Sequence, residues 1–333
     1  MNPHVDPPKS VDDAVRAALQ DVLELGSTVR DKATGDMFLE LFSYQTGMTR
    51  PHQRILGNVA RRLDLIGAVG RFVWMLRGDS ALPPVAYYVP RAVSYSPDGL
   101  NLPGSNYGAR IRRPQPGVDQ LAGVIERLRQ EPLSRQAATV VWNPLDAVRD
   151  PFDIPCAFGT LYHCRDDGVI GTTMMRSNKP SVMPVNFFEF SLLAELVAAE
   201  LGRPLRRYLH YTGVLQVPER ELDDAMSASQ SSGESFEMDP MPTAPAPLDQ
   251  AQSLAVFEER IRTCSNDPEL KAVMAGAQEK LHPYWYAFCR VLSLQWLLHA
   301  NEPDQALAEA EELPEYFAVP ARETLIKRRA ARR

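Results

Sequence analysis

The stretch that most constrains this chain is residues 153–177, DIPCAFGTLYHCRDDGVIGTTMMRS. Two runs rich in apolar and β-branched residues, 158–164 and 169–175, flank the tetrapeptide Arg165-Asp166-Asp167-Gly168. An Asp-Gly pair between such runs is a strong hairpin signal, because glycine takes the positive φ that a tight turn demands. Cys156 precedes the first run on a Pro-Cys corner, and Arg176 and Ser177 stand just past the end of the second. Antiparallel strands fold back on themselves, so all three residues belong at one end of the hairpin. The expectation is a thiol, a guanidinium and a hydroxyl side by side, a nucleophile next to an anion clamp.

The rest of the chain is that of an ordinary globular protein. Its 333 residues suffice for a large core, and an apolar content of 44% with 23% charged residues is typical. A net charge of −6 argues against a general nucleic-acid binder. The four cysteines, Cys156, Cys164, Cys264 and Cys289, show no CxxC spacing, which points to neither a metal site nor a disulfide framework. Cys164 and Cys289 lie in apolar runs and read as inert core thiols. The N-terminus lacks the features of a signal peptide, and no apolar run reaches membrane-spanning length, so a cytoplasmic protein without a membrane partner is expected.

Taken in order, residues 1–10 are Pro-rich and read as disordered, and 11–25 has the apolar spacing of a helix capped by Ser10 or Asp12. Residues 26–36 read as a loop and 37–44 as a strand. A helical region is expected over 58–76, stopped at Gly78, and an amphipathic helix over 118–130, broken by Pro132. Residues 137–142 read as a buried strand, 187–202 as an apolar core helix, and 208–217 as a further strand containing His210, expected to be a packing histidine. Residues 226–250 are Ser- then Pro-rich and read as a linker. Helical periodicity returns over 251–333, which includes the apolar run 284–298 and ends in a basic tail. Four segments result: 1–10, a catalytic domain over 11–225, the linker 226–250, and a helical extension over 251–333.

Five short motifs stand in one order: WMLRGD (74–79), GSNYGAR (104–110), the helix-PLSRQ-strand-WN block (119–143), PCA at Cys156, and MRSN ending the second run, with 20 residues from Cys156 to Arg176. Together they resemble the thymidylate synthase superfamily over about residues 28–218. The resemblance implies an α/β (α+β) fold, a mixed sheet packed against helices, here with a helical C-terminal extension. In character the chain is similar to CMP/dCMP hydroxymethylases of nucleoside-antibiotic pathways and phages, and its C-terminal helices resemble extensions on actinobacterial relatives.

The resemblance also implies roles. Cys156 is the nucleophile, Tyr107 belongs to the family's Tyr-Gly loop, and Arg176 and Ser177 clamp the phosphate of a pyrimidine nucleoside monophosphate. Arg30 or Lys32 adds a phosphate contact from the loop 26–36. Arg135 reaches across a two-fold interface to the partner subunit's phosphate, which implies a homodimer with shared active sites; Gln136 follows it. Asn186 matches the residue that reads the pyrimidine N3–C4 edge, and Gln216 and Pro218 replace a sugar-binding His and Tyr. On the cofactor side, 5,10-methylenetetrahydrofolate is implied, with Trp74 near it. Two departures stand out: Arg71 where the family has a glutamate, and Lys179 where it has a pterin-binding aspartate. A fixed cation cannot serve as a carboxylate proton relay. Glu40 and Asp79 are the candidates to restore one.

The chemistry follows from the ring. C5 of a pyrimidine is a poor nucleophile until a thiolate adds at C6 and turns C5 into an enolate or enamine carbon, which can attack a one-carbon iminium. Elimination leaves an exocyclic methylene trapped by hydride, giving methyl, or by water, giving hydroxymethyl. Arginines favour the thiolate, and guanidinium forks match phosphate oxygens. One-carbon transfer to C5, with hydroxymethylation ahead of methylation, is the expected function. Folate-independent nucleotide chemistry, or nucleotide binding alone, is the alternative.

Overall fold

The structure, a computed structural model, describes residues 7–32, 35–58, 60–61, 63–148 and 152–330. Residues 1–6 of the expected N-terminal segment and 331–333 of the basic tail lie outside the described residues. The chain forms two compact units.

The first unit comprises 1–63, 123–142 and 156–238. It holds one six-stranded sheet: β1 (Ser27–Arg30), β2 (Met37–Met48), β3 (Ala138–Val140), β4 (Ala157–Arg165), β5 (Gly168–Asn178) and β6 (Leu205–Pro218), in the order β1-β2-β6-β5-β4-β3. All neighbours are antiparallel except β5 and β6, which run parallel. That parallel pair needs a crossover, supplied by α6 (Met183–Glu200). Helix α6 is apolar on all sides and buried along almost its whole length, as expected of a helix enclosed by a core. It presses so closely on β5 that a Cβ at Gly171 would come within 2.6 Å of the Ala194 side chain. Phe187 stacks edge-on against Tyr208, with ring centroids 5.2 Å apart.

Helix α1 (Val11–Leu25) packs its apolar stripe, Val11, Ala14, Val15, Ala18, Leu19 and Val22, into the same core. Ser10 caps it by accepting from the backbone N–H of Asp13 at 3.2 Å. The preceding residues are held too, since the carbonyls of Pro8 and Lys9 accept from the N–H groups of Thr49 and Arg50, each at 2.9 Å. Of the Ser- and Pro-rich segment, the first residues belong to α7 (Leu222–Gln230); further on, the N–H groups of Phe236 and Met238 donate to Ile55 and His52 carbonyls at 2.9 and 3.0 Å.

Four expectations are corrected here. The helix expected from residue 58 begins at Leu65, because the Asn58 side chain accepts from the N–H groups of Ala60 and Arg61 and turns the chain instead. The strand expected over 137–142 shortens to β3, an edge strand whose Val140 is 51% exposed rather than buried. The loop expected over 26–36 contains β1, which pairs with β2. Strand β5 runs on through Arg176 and Ser177 to Asn178, so those residues lie within the strand.

The second unit comprises 64–122, 143–155 and 239–333. It contains α2 (Leu65–Arg77), α3 (Leu82–Tyr88), α4 (Tyr107–Arg112) and five helices from α8 to α12: Pro247–Thr263, Asp267–Lys280, Pro283–His299, Pro303–Glu311 and Glu315–Ala330. Helix α5 (Gln120–Gln130) begins in this unit and ends in the first. Gly78, at φ +67°, ends α2 in the left-handed conformation that glycine adopts without strain. The core gathers Phe72, Phe288 and Phe317, with Phe288 and Phe317 edge-on at 5.3 Å. Glu258, buried, is gripped by Arg77 and Arg262. The basic end of α12 is tied in as well: Arg328 pairs with Asp64 at 2.7 Å and donates to the Tyr88 carbonyl at 2.8 Å. No helix among the described residues is long and apolar enough to cross a membrane.

Candidate active site

The hairpin brings Cys156 and Arg176 together at one end through the main chain. Cys156, half-buried, precedes β4, and its carbonyl accepts from the backbone N–H of Arg176 at 2.8 Å. Ser177 follows, in register with Val214 of the parallel neighbour β6. Because β4 begins where β5 ends, and β6 ends there too, one end of the sheet collects Cys156, Arg176, Ser177 and Gln216. Arg30 lies at that same end, at the tip of β1, exposed and donating to the Gly35 carbonyl at 3.2 Å. Lys32 is exposed in the turn beyond.

Arg135 goes elsewhere. It precedes β3, which is antiparallel to β4 with Ala138 opposite Leu161, so Arg135 stands exposed toward the hairpin-turn end. The sheet separates it from Cys156 by most of the length of β4, nine residues or roughly 30 Å at strand rise.

Asn186 sits in the first turn of α6, not at its cap, which is Val182. Its side-chain Nδ2 donates to Oδ1 of Asn178 at 3.1 Å. Asn178 Nδ2 meets Nε2 of His210 at 3.0 Å, and His210 Nδ1 meets the Tyr208 hydroxyl at 3.1 Å. All four residues are buried. Burial pushes the His210 imidazole down to about 3, so it is neutral at physiological pH. His210 is therefore more than a packing residue, and Asn178, the last residue of MRSN, is a polar link that no local pattern assigns. The available signal was the even spacing of 208 and 210, which puts both on the sheet face that α6 covers.

Gln216 donates from Nε2 to Oε1 of Glu40 at 2.6 Å, which orients its amide. The carboxylate of Asp79 is engaged by the N–H of Ala81 at 2.9 Å.

The two residues expected on the cofactor side are committed to other partners. Trp74 is 5% exposed, donates its indole N–H to the Ala81 carbonyl at 3.1 Å, and packs with Leu82, Val85, Ala92 and Leu102. Lys179 pairs with Glu221 at 3.7 Å. Neither supplies the carboxylate expected to bind a pterin, so these two residues do not fit a folate as they stand.

In the second unit, Tyr107 opens α4 and is largely buried, while Arg71 is half-buried on α2. The loop bearing Tyr107 is fastened by Asp153, which accepts from the N–H groups of Gly104 and Ser105 at 2.8 and 2.9 Å and from the Ser105 hydroxyl at 2.5 Å. Arg110 is locked to Asp146 through two bonds of 2.5 and 2.9 Å.

A separate ion cluster lies under α6. Glu195 pairs with His52 at 2.8 Å and with Arg54 at 2.6 Å, and the Arg54 side chain is fully buried. No disulfide joins any of the four cysteines, and Cys164 and Cys289 are buried; burial pushes the Cys289 thiol well up, in keeping with an inert core residue.

Comparison with known proteins agrees with this geometry. The family model for thymidylate synthase matches residues 15–243. A deoxyuridylate hydroxymethyltransferase of Pseudomonas phage M6 is 29% identical over 177 residues, 52% of this chain and 50% of that protein. A second deoxyuridylate hydroxymethyltransferase, of Delftia phage PhiW-14, is 26% identical over 223 residues, 62% of this chain and 60% of that one. A thymidylate synthase of Bacillus licheniformis is 28% identical over 108 residues, 32% and 38% of the two chains. The chain thus spans between about two fifths and three fifths of the length of these relatives. With the family's motifs in order and its fold in place around Cys156, the chain belongs to the thymidylate synthase family.

Proposed function

We propose that this protein transfers a one-carbon unit to C5 of a pyrimidine nucleoside 5′-monophosphate, with Cys156 as the nucleophile and a hydroxymethyl group as the product. The observation that carries the proposal is the main-chain bond between Cys156 and Arg176, which keeps a thiol residue in register with a guanidinium residue. The Cys156 sulfur adds to C6, forming a C–S bond while the C5–C6 π electrons move onto the C4 carbonyl as an enolate. C5 then takes up the one-carbon unit, and loss of the C5 proton with departure of the unit's amine carrier leaves an exocyclic methylene. Water adds to that methylene, and elimination of the thiolate from C6 restores the aromatic ring. Arg176, Ser177 and Arg30 hold the phosphate, since guanidinium forks match its oxygens. Gln216 contacts the sugar. In the family the one-carbon unit generally comes from methylenetetrahydrofolate. Two relatives named as deoxyuridylate hydroxymethyltransferases support hydroxymethylation over methylation and a uracil-type base. An amide at Asn186, which both donates and accepts, is in keeping with such a base.

The active unit in this proposal is a homodimer. Arg135, at the far end of the sheet from its own Cys156, is suited to complete the phosphate clamp of a second copy. The open face of the sheet, opposite α6, carries Leu161 and Met174 at 36% and 37% exposure and supports such pairing.

A second reading is favoured by the commitment of Trp74 to the core and of Lys179 to Glu221. There the thiol addition is retained, but the second step uses no folate. One experiment separates the two: tritium release from C5-labelled UMP, dUMP, CMP and dCMP, with and without methylenetetrahydrofolate, for the wild type and Cys156→Ser. Release that needs both folate and Cys156 supports one-carbon transfer. Release that needs Cys156 alone supports the second reading, and no release from any nucleotide overturns both.

A further inference from the structure

The buried chain Asn186–Asn178–His210–Tyr208 has a direction, and a backbone group sets it. An amide can turn over and exchange its oxygen and nitrogen, and a neutral imidazole can carry its proton on either nitrogen. A chain built only from such groups could run either way. The backbone N–H of Lys179 has no such freedom, and it lies 2.9 Å from Asn178 Oδ1. Turning the Asn178 amide over would set NH₂ against N–H at that distance, two donors facing each other in a buried site.

Asn178 Oδ1 therefore stays where it is and accepts both the Lys179 N–H and Nδ2 of Asn186. Its own Nδ2 then donates to Nε2 of His210, which must be unprotonated, and the His210 proton sits on Nδ1, directed at the Tyr208 oxygen. Burial of all four residues, none above 6% exposure, makes any reversed pairing costly. The neutral state of His210, driven by desolvation, agrees with a single ring proton.

At the other end, one N–H of Asn186 is spent on Asn178, so its amide cannot turn over without facing Asn178 Oδ1 oxygen to oxygen. We infer that Asn178, held by the Lys179 N–H and backed by His210, is a positioning residue that fixes the amide of Asn186 in one orientation and so makes it discriminate between uracil and cytosine edges. The inference rests on the proposed reading of Asn186 as the base-contacting residue. A uracil edge presents N3–H as a donor and O4 as an acceptor; a cytosine edge presents N3 as an acceptor and N4–H₂ as a donor. The two therefore require opposite amide orientations at the same placement. A freely turning Asn would accept both, whereas a locked one accepts one.

The test compares equilibrium binding of dUMP and dCMP by the full chain and by Asn178→Leu, which keeps the volume but removes the lock. In the wild type dUMP should bind tighter by about tenfold to a hundredfold, the range of a mismatched buried hydrogen-bond pair. In Asn178→Leu that ratio should fall by roughly tenfold, chiefly through gain of dCMP binding. A purely structural role would weaken both nucleotides alike and leave the ratio unchanged, and that result overturns the inference while leaving the proposed function intact. Equal binding of the two by the wild type overturns it likewise. Binding of neither nucleotide removes the proposed function along with it. Nitrogen NMR of His210 in the unliganded wild type gives a readout independent of nucleotide: a proton on Nδ1 is expected, and one on Nε2 would overturn the direction of the chain. In Asn178→Asp, where a carboxylate oxygen faces Nε2, the proton should move to Nε2, and a ring still carrying it on Nδ1 alone would count against the lock.

Discussion

The backbone N–H of Arg176 donates to the carbonyl of Cys156 at 2.8 Å, so the alignment of thiol and guanidinium is a property of the main chain and survives substitution of either side chain. Cys156→Ser should therefore fold with stability within about 1 kcal/mol of the wild type, as expected for a half-buried isosteric change. C5 tritium release should fall by roughly a thousandfold or more, because a hydroxyl at neutral pH is a far weaker nucleophile than a thiolate. Unaltered release from a well-folded Cys156→Ser protein would remove the thiol from the reaction.

Arg135 and Cys156 occupy opposite ends of one sheet, which gives the shared-site proposal a sharp test. Arg135→Ala and Cys156→Ser should each be inactive alone. Mixed and allowed to exchange subunits, they should regain about a quarter of wild-type activity, since a heterodimer in which both lesions fall on one site leaves the other site whole. No recovery on mixing, with subunit exchange verified, would refute sharing.

The cluster His52–Glu195–Arg54 makes a prediction about stability rather than catalysis. Glu195→Leu leaves the fully buried Arg54 guanidinium without its carboxylate and should cost about 3–5 kcal/mol in urea unfolding. Adding Arg54→Met should restore much of that loss, because two apolar side chains replace a desolvated ion pair. If the double variant is less stable than the single one, the ion pair is a net stabiliser and the prediction fails.

His210 makes a pH prediction. Its imidazole is held at about 3 in the folded chain, against about 6.5 when unfolded. Between those values the unfolded chain binds the extra proton, so the contribution of His210 to stability is fully present above pH 6.5 and is lost as pH falls toward 3, with a slope approaching 1.4 kcal/mol per pH unit. Over the whole window the loss is about 5 kcal/mol. The difference in unfolding free energy between wild type and His210→Gln, followed from pH 7 to pH 4, isolates this contribution. A difference that stays flat with pH would show that His210 is not kept neutral by the fold.

Much of this architecture was legible in local patterns. The Asp-Gly turn marked the hairpin, and the mostly apolar run after Pro184 marked α6 as a core helix, each because a short stretch carries its own physical reason. Features that depend on the distant chain were not legible. Asn58 looked helical until its side chain proved to bond the N–H groups of Ala60 and Arg61. Strand β3 looked buried because its β-branched residues are the same whether a strand lies inside a sheet or at its edge; only the strand order makes it an edge. The ion cluster joins His52 and Arg54 to Glu195 across more than 140 residues, beyond the reach of any periodicity. Asn178 was visible as a letter in MRSN, but its role comes from its bond to Asn186 on α6 and to His210 on the neighbouring strand.

Strands β5 and β6 lie in the interior of the sheet, each hydrogen-bonded on both edges, with α6 closed over one face. Amide protons there can exchange with solvent only through the rarest openings of the molecule, those that approach complete unfolding. The ends of these strands carry Arg176, Ser177, Asn178 and Gln216, so the proposed reaction centre is set in the slowest-breathing part of the chain. Under the proposed function, movement that admits or releases a nucleotide falls to side chains or to the rim, such as the exposed edge strand that bears Arg30. A denaturant series should accordingly erase exchange protection at β1 well before it touches the amide of Arg176.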